Sequence, residues 1–320
     1  MKRVVVPGIV LAAVAVIIGA WWLAFHRPQA APAAQEPSAV PAARVSTPID
    51  GSKGPAGVPD PRGGLPPSLP GVSSLVLRDQ IRDATDLRAL YDRTKDLLDP
   101  TGERAYRLAQ AIFECSVFVD SPPEELSARL AITKAARESP RRQEVFNFMI
   151  ERCKGFAGSA AALREITEAL HRRAEVAGYP AELARSLRSE ARLRDERSDQ
   201  VATALLDNPD ADVVHELAQY LDLRNRYSPQ WRTAEAAIRP IAWGLLECQY
   251  GGDCGPRSRP VVMTCIAFGA CDLQRVEEAI LVQGAQNTVN MAMQMRDRLT
   301  RQIAARDWAA VGFGERIKPP

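Results

Sequence analysis

Two closely spaced pairs of cysteines constrain this chain more than any other feature of its sequence. Five residues separate Cys248 from Cys254, and five separate Cys265 from Cys271, with a glycine at the fourth intervening position of each pair. Each pair therefore reads as the same unit. A cysteine ends an apolar helix, a glycine permits the left-handed turn that reverses the chain, and a second cysteine returns to the last helical turn.

The sequence contains six cysteines, an even number that is typical of disulfide-bonded proteins in oxidising compartments. Cys115 and Cys153 are the only two in the first half of the chain, and each lies near the carboxyl end of a predicted helix. We expect these two to pair. The loop they close would stabilise the fold by about 3–4 kcal/mol through the lower entropy of the unfolded chain.

Three pairings remain open among the other four cysteines. The spacing favours the local bonds Cys248–Cys254 and Cys265–Cys271, which would hold two helix ends. A crossed arrangement, Cys248–Cys265 with Cys254–Cys271, would instead join two helices. The alternative to disulfide bonds is a four-cysteine zinc site, but such sites usually consist of Cys-x-x-Cys pairs, which this spacing does not match.

The amino-terminal segment, residues 1–27, is predicted to be a transmembrane signal anchor. Residues 4–25 carry no charge and follow a basic Lys2-Arg3 pair. A helix of that length rises about 33 Å, and the hydrocarbon core of a bilayer is about 30 Å thick. A cleaved signal peptide is the alternative, although its apolar region is usually shorter.

Residues 28–71 are rich in proline, alanine and glycine and show no apolar periodicity. This composition predicts a disordered linker. A folded domain at residues 72–312 and a loose tail at residues 313–320 complete the expected organisation. Together with the cysteines, the anchor predicts a single-pass protein of the bacterial inner membrane whose carboxyl-terminal domain lies in the periplasm.

The folded domain is predicted to be all-α. Apolar residues recur at three- and four-residue spacing, and cap-then-proline pairs such as Ser139-Pro140 mark helix starts. Ser121-Pro122-Pro123-Glu124 reads as a capping box. We expect an irregular bundle or degenerate solenoid of antiparallel hairpins, with about ten helices of 12–20 residues.

Four local expectations follow from the same periodicity. Leu97 and Leu98 extend the apolar stripe of the first helices after the linker. One long helix covers residues 180–207, and the last helical run covers residues 272–311. Pro240 is expected to kink or split the helix over residues 231–249.

The segment Ala174-Glu175-Val176-Ala177-Gly178-Tyr179-Pro180-Ala181 places small residues around a turn glycine. In this it resembles the helix-turn-helix unit of Sel1 and tetratricopeptide-type repeats. The resemblance covers one hairpin, and no clean period of about 34–40 residues accompanies it. It implies stacked helical hairpins that bind other proteins.

A second resemblance concerns the order of parts and one short motif. Shortly after the linker the chain contains the motif Arg88-Ala89-Leu90-Tyr91-Asp92-Arg93. It also has an anchor, a linker and a helical domain in the same order as the lipase-specific foldases, which it resembles in this respect. The signature of that family is Arg-x-x-Phe-Asp-Tyr, so the final tyrosine is an arginine here. The resemblance implies that Arg88, Tyr91 and Asp92 bind a partner protein. The alternative is that Tyr91 belongs to the core and that Arg88 and Asp92 form an exposed ion pair.

Motifs that carry catalysis are absent from the sequence. It has three histidines, lacks a metalloprotease or nucleophile-elbow pattern, and lacks a phosphate or dinucleotide glycine loop. The acidic pairs Glu124-Glu125 and Glu277-Glu278 fit the first turns of helices, where they complement the helix dipole. No cofactor or metal is therefore expected.

A net charge of +2 gives no reason to expect a nucleic-acid partner. We predict a non-enzymatic protein that binds an unidentified periplasmic protein as a scaffold or adaptor. A foldase-like chaperone is one alternative, and an envelope hydrolase with an unrecognised acidic site is another.

Overall fold

The structure is a computed structural model that describes residues 72–119, 121–156, 160–191, 196–225 and 234–313. Within these ranges every regular element is a helix and no strand occurs, which confirms the all-α class. The described residues belong to one unit, Leu69–Pro320. The predicted anchor at residues 1–27 and the predicted linker at residues 28–71 fall outside the described ranges.

The first half of the domain contains α1 (Val72–Asp83), α2 (Leu87–Thr94), α3 (Glu103–Glu114), α4 (Ser116–Val119), α5 (Pro123–Leu130), α6 (Lys134–Glu138), α7 (Pro140–Cys153) and α8 (Ala160–Val176), with a short 3₁₀ helix at Lys154–Phe156. The second half contains α9 (Pro180–Glu190), α10 (Glu196–Leu205), α11 (Ala211–Asn225), α12 (Ala234–Gln249), α13 (Arg259–Phe268), α14 (Val276–Gln283), α15 (Gln286–Ala304) and α16 (Trp308–Val311).

The core lies along a row of helices that is only partly sequential. Helix α3 packs most extensively on α8, while α9 packs on α11, α11 on α12 and α12 on α15. Each contributes side chains that are at most 2% exposed, among them Tyr106, Leu170, Ala184, Leu217 and Trp243. Burial of such side chains is the main favourable contribution to folding.

A glycine explains the close approach of α3 and α8. Gly102 precedes α3 with a φ of +74°, in the left-handed region. A Cβ atom at this position would lie 2.8 Å from the Cα atom of Ala174 in α8. Any other residue would therefore be strained in its backbone and would also collide with α8.

Helix starts follow the predicted cap signals in part. The Ser139 side chain accepts a hydrogen bond from the Arg142 amide of α7, as expected for an N-cap. The expected capping box at Ser121 is wrong, because α5 begins at Pro123 and its N-cap is Pro122, which has no side chain able to accept a hydrogen bond. The acidic pairs Glu124-Glu125 and Glu277-Glu278 do lie in the first turns of α5 and α14.

The predicted helix lengths are wrong in several places. Over the described residues there are sixteen α-helices, the longest of 19 residues. The expected helix at residues 180–207 is two helices, α9 and α10, which pack against each other. The expected run at residues 272–311 is divided among α14, α15 and α16. Pro240 lies inside α12 and does not split it, although its missing N–H removes one backbone hydrogen bond.

All six cysteines form disulfide bonds, which confirms that expectation. Cys115 follows α3 directly and pairs with Cys153, the last residue of α7, with a Cα–Cα distance of 5.2 Å. Both are at most 1% exposed, so this bond ties two helix ends inside the core.

The two remaining bonds are local and have the favoured connectivity. Cys248, in the last turn of α12, pairs with Cys254, and Cys265 of α13 pairs with Cys271. Gly269 ends α13 with a φ of +79° and so reverses the chain between the second pair. The crossed arrangement does not form.

At the carboxyl end, Phe313 is the first residue of the predicted tail. It is 1% exposed and stacks on Tyr220, with ring centroids 6.4 Å apart. The packed region thus includes this residue.

Among the residues that the structure describes, no helix combines the length and the apolar character that crossing a bilayer requires. The predicted span at residues 4–25 lies outside those residues.

Candidate functional site

The three predicted partner-binding residues share helix α2. Asp86 caps this helix by accepting a hydrogen bond from the Ala89 amide, and Leu87 and Leu90 anchor it in the core. Arg88 and Asp92 are one helical turn apart, and the Arg88 Nε atom donates to the Asp92 carboxylate at 2.9 Å. This hydrogen bond lowers the pKa of Asp92. The exposed ion pair that formed part of the alternative interpretation is therefore present.

Tyr91 is half-buried and lies between two cations. The Arg88 guanidinium is 5.8 Å from the centroid of the Tyr91 ring, and the Lys95 ammonium is also 5.8 Å from it. Cation–π contacts of this kind hold a ring in place without burying it. The side chain thus remains available at the protein surface.

The loop at residues 95–102 continues from α2 and presents two leucines to solvent. Leu97 is 50% exposed and Leu98 is 93% exposed. The expectation that both belong to a helical apolar stripe is wrong, because α2 ends at Thr94. Pro100 disfavours the helical conformation at Asp99, so the sequence indicates that no helix continues past Leu98, but it does not indicate the end at Thr94.

The end of α8 holds this loop in place. The Arg173 guanidinium donates to the carbonyl oxygens of Lys95 and Leu97. From the other side of the loop, Arg104 donates to the carbonyl of Leu98 at 3.1 Å. Val176, one turn after Arg173, is 90% exposed.

We call the set Tyr91, Leu97, Leu98, Arg173 and Val176 the Leu98 surface. Leu97 and Leu98 lie on a loop that Arg173 and Arg104 fasten, and Tyr91 and Val176 lie on helices, so the surface has a defined shape. Large exposed apolar side chains grouped in this way are typical of sites that bind another protein.

A buried polar network joins α3, α9 and α11, and the sequence did not indicate it. Glu216 of α11 is 0% exposed. Its Oε1 atom accepts hydrogen bonds from the Tyr106 hydroxyl at 2.7 Å and from the Gln110 amide at 3.1 Å. Its Oε2 atom lies 3.3 Å from Nε of Arg188. Burial, followed by the charge of Glu216, raises the pKa of Tyr106 well above its usual value.

His215 extends the polar contacts to α12. Its Nδ1 atom is 3.1 Å from the Glu247 carboxylate, and its Nε2 atom is 2.7 Å from the Gln219 amide. Burial alone lowers the pKa of His215. The charge and hydrogen bond of Glu247 and the charge of Glu216 outweigh burial and raise that pKa to about 9.

A separate groove of about 440 Å³ is lined mainly by α5 and α7. Glu124 is the one carboxylate in its lining. Arg142 is fully engaged in the structure, because it donates to the Ile266 carbonyl at 2.8 Å and to the Ser127 hydroxyl and carbonyl. The groove therefore contains a single carboxylate and an arginine that is already bound, and it does not overlap the Glu216 network.

In the part of the chain that the structure describes, no group of three or more histidine, cysteine, aspartate or glutamate side chains is placed to hold a metal ion.

No protein-family model, no curated protein and no solved structure matches this chain.

Proposed function

We propose that this protein is an inner-membrane-anchored, periplasmic helical adaptor that binds another polypeptide through the Leu98 surface and carries out no catalysis. One observation carries the proposal. Leu98 and Val176 are 93% and 90% exposed, and Arg173, one turn before Val176 on α8, fastens the loop that carries Leu98.

The energetics favour such a role. Covering an exposed leucine or valine completely contributes about 1.5–3 kcal/mol to association. The loop at residues 95–102 is already fixed by Arg173 and Arg104. A partner therefore binds without a large cost for ordering that loop.

Photo-crosslinking in intact cells tests the proposal. A photoreactive residue at position 98 should give one defined adduct, while one at Lys134, whose side chain is 83% exposed on α6, should not. Val176→Asp should suppress the adduct from position 98, because a carboxylate is poorly accommodated in an apolar interface. Equal adducts at both positions, or no effect of the aspartate, would contradict the proposal.

The proposed location rests on the uncharged residues 4–25 and on the three disulfide bonds. Such bonds persist in oxidising compartments. Protease added to spheroplasts should digest the domain at residues 72–312 and leave cytoplasmic proteins intact. A domain protected in spheroplasts but digested after lysis would place it in the cytoplasm.

A foldase-like chaperone is the second candidate, and the position of Tyr91 favours it. This ring is half-buried between Arg88 and Lys95 and is not among the core residues. Tyr91→Ala should then leave thermal stability nearly unchanged but abolish the folding of a co-expressed client. A large loss of stability would instead make Tyr91 a structural residue and exclude this candidate.

A further inference from the structure

The three disulfide bonds differ in their access to solvent. Cys115 and Cys153 are 0% and 1% exposed, and Cys265 is 3% exposed with a half-buried partner, Cys271. Cys248 and Cys254 are both half-buried. Thiol–disulfide exchange requires a nucleophile to reach one sulfur along the bond axis, so accessibility orders the reactivity of such bonds.

The loop closed by Cys248–Cys254 is also exposed on its outer side. Gly251 and Asp253 are exposed, and Gly251 has a φ of +88° that lets the backbone turn outwards. The outer side of this loop is therefore open to an approaching thiol.

This loop connects elements that are distant in the sequence. The Arg78 guanidinium of α1 donates to the Gly251 carbonyl. The Val276 amide, at the start of α14, donates to the Cys254 carbonyl at 3.2 Å. Both contacts depend on the position of the loop backbone, which the disulfide holds against the last turn of α12.

We propose that Cys248–Cys254 is a site of thiol–disulfide exchange with a dithiol reductant, and that its reduction releases α1 from the loop. One thiolate of the dithiol attacks a sulfur of the bond, which breaks to give a mixed disulfide and a cysteine thiolate that takes a proton from water. The second thiol of the reductant then attacks the mixed disulfide. Two electrons and two protons pass to the cysteine pair, and the dithiol becomes a disulfide.

The consequence concerns the attachment of the domain, and it does not depend on the proposed partner-binding role. Helix α1 is the first described element and directly follows the predicted linker. Its carboxyl end remains attached in the reduced state, because the Arg152 guanidinium donates to the carbonyls of Arg82 and Ala84 at 2.9 Å and 2.7 Å. Reduction should therefore loosen the part of α1 near Arg78 and leave its end in place.

Limited reduction of the full-length protein tests the proposal. The protein is exposed to dilute dithiothreitol under native conditions, quenched with an alkylating agent and mapped by mass spectrometry. Cys248 and Cys254 should be alkylated on the order of tenfold faster than Cys265 and Cys271, and faster still than the core pair. The more buried bonds react only after the protein opens locally, and each 1.4 kcal/mol that this opening costs slows the reaction about tenfold. Equal rates for all three bonds, or earlier reaction of the core pair, would overturn the proposal.

Hydrogen exchange separates the release of α1 from general unfolding. After limited reduction, exchange should rise in peptides that contain Arg78 and Gly251 and stay unchanged in α3 and α8. Arg78→Gln, with all disulfides intact, should reproduce the faster exchange in α1 alone. Unchanged exchange in α1 after selective reduction would refute the proposed release.

Discussion

Replacing Glu216 tests whether the buried polar network links α3, α9 and α11 as the structure indicates. Glu216→Ala removes the acceptor of the Tyr106 hydroxyl and the counter-charge of Arg188. Breaking a buried ion pair on one side costs about 3–5 kcal/mol. The Arg188 side chain is 27% exposed and keeps some hydration, so we expect a loss at the lower end, about 3 kcal/mol.

A double-mutant cycle isolates the hydrogen bond itself. Tyr106→Phe removes the donor but leaves Glu216 bound to Gln110 and Arg188, so it should cost about 1.5 kcal/mol. Glu216→Leu is measured alone as well, and combining it with Tyr106→Phe should cost less than the sum of these two single changes by about 1–2 kcal/mol, because no buried hydroxyl is then left without an acceptor.

Urea unfolding followed by circular dichroism, with the disulfide bonds intact, measures these free energies by linear extrapolation. Glu247→Gln serves as the matched control, because that carboxylate is 30% exposed and should contribute about 1 kcal/mol through its pairing with His215. If the two single changes lower the unfolding free energy additively, or if Glu216→Ala costs no more than the control, the network is not buried and coupled as argued.

Three further predictions concern other elements. His215 has a folded-state pKa of about 9, above its unfolded value of about 6.5, so its stabilising contribution is complete below pH 6.5 and is lost as the pH rises through 9. The His215 side chain is 37% exposed, so this contribution is only about 1 kcal/mol. The unfolding free energies of wild type and His215→Gln in urea should therefore converge at high pH. A difference that stays constant with pH would contradict this. Gly102→Ala should lower stability by about 2–3 kcal/mol, because the left-handed backbone and the contact with α8 both oppose a Cβ atom; an unchanged melting temperature would be inconsistent with that approach. Replacing Cys115 and Cys153 together by alanine should cost about 4 kcal/mol of unfolding free energy in urea titrations, because the bond spans 38 residues, whereas a loss below 1 kcal/mol would show that the unfolded chain is not constrained in this way.

The all-α class and the disulfide bonds could be predicted because both depend on local pattern. Apolar residues at helical spacing predict a helix from a few neighbouring residues, and a glycine between two nearby cysteines predicts a local disulfide bond in the same way. Periodicity alone, however, misplaced Leu97 and Leu98, since their spacing continues the stripe of α2 beyond its end at Thr94. Pro100 restricts only Asp99, so it could not have revealed the earlier end of this helix.

The Glu216 network could not be predicted in the same way. Tyr106 and Glu216 are 110 positions apart. Glu216 falls within the apolar stripe of Val213, Leu217 and Leu221, but the sequence does not say which helices supply its hydrogen-bond donors. Its burial results from the packing of α3 and α9 around it, which is a property of the tertiary structure.

The connectivity of the disulfides has a consequence for how the chain is made. Each cysteine is bonded to the next cysteine along the sequence: Cys115 to Cys153, Cys248 to Cys254, and Cys265 to Cys271. A polypeptide is synthesised from its amino terminus, so every cysteine meets its correct partner as the next thiol to emerge. Oxidation in the order of emergence would therefore yield the native bonds without any reshuffling.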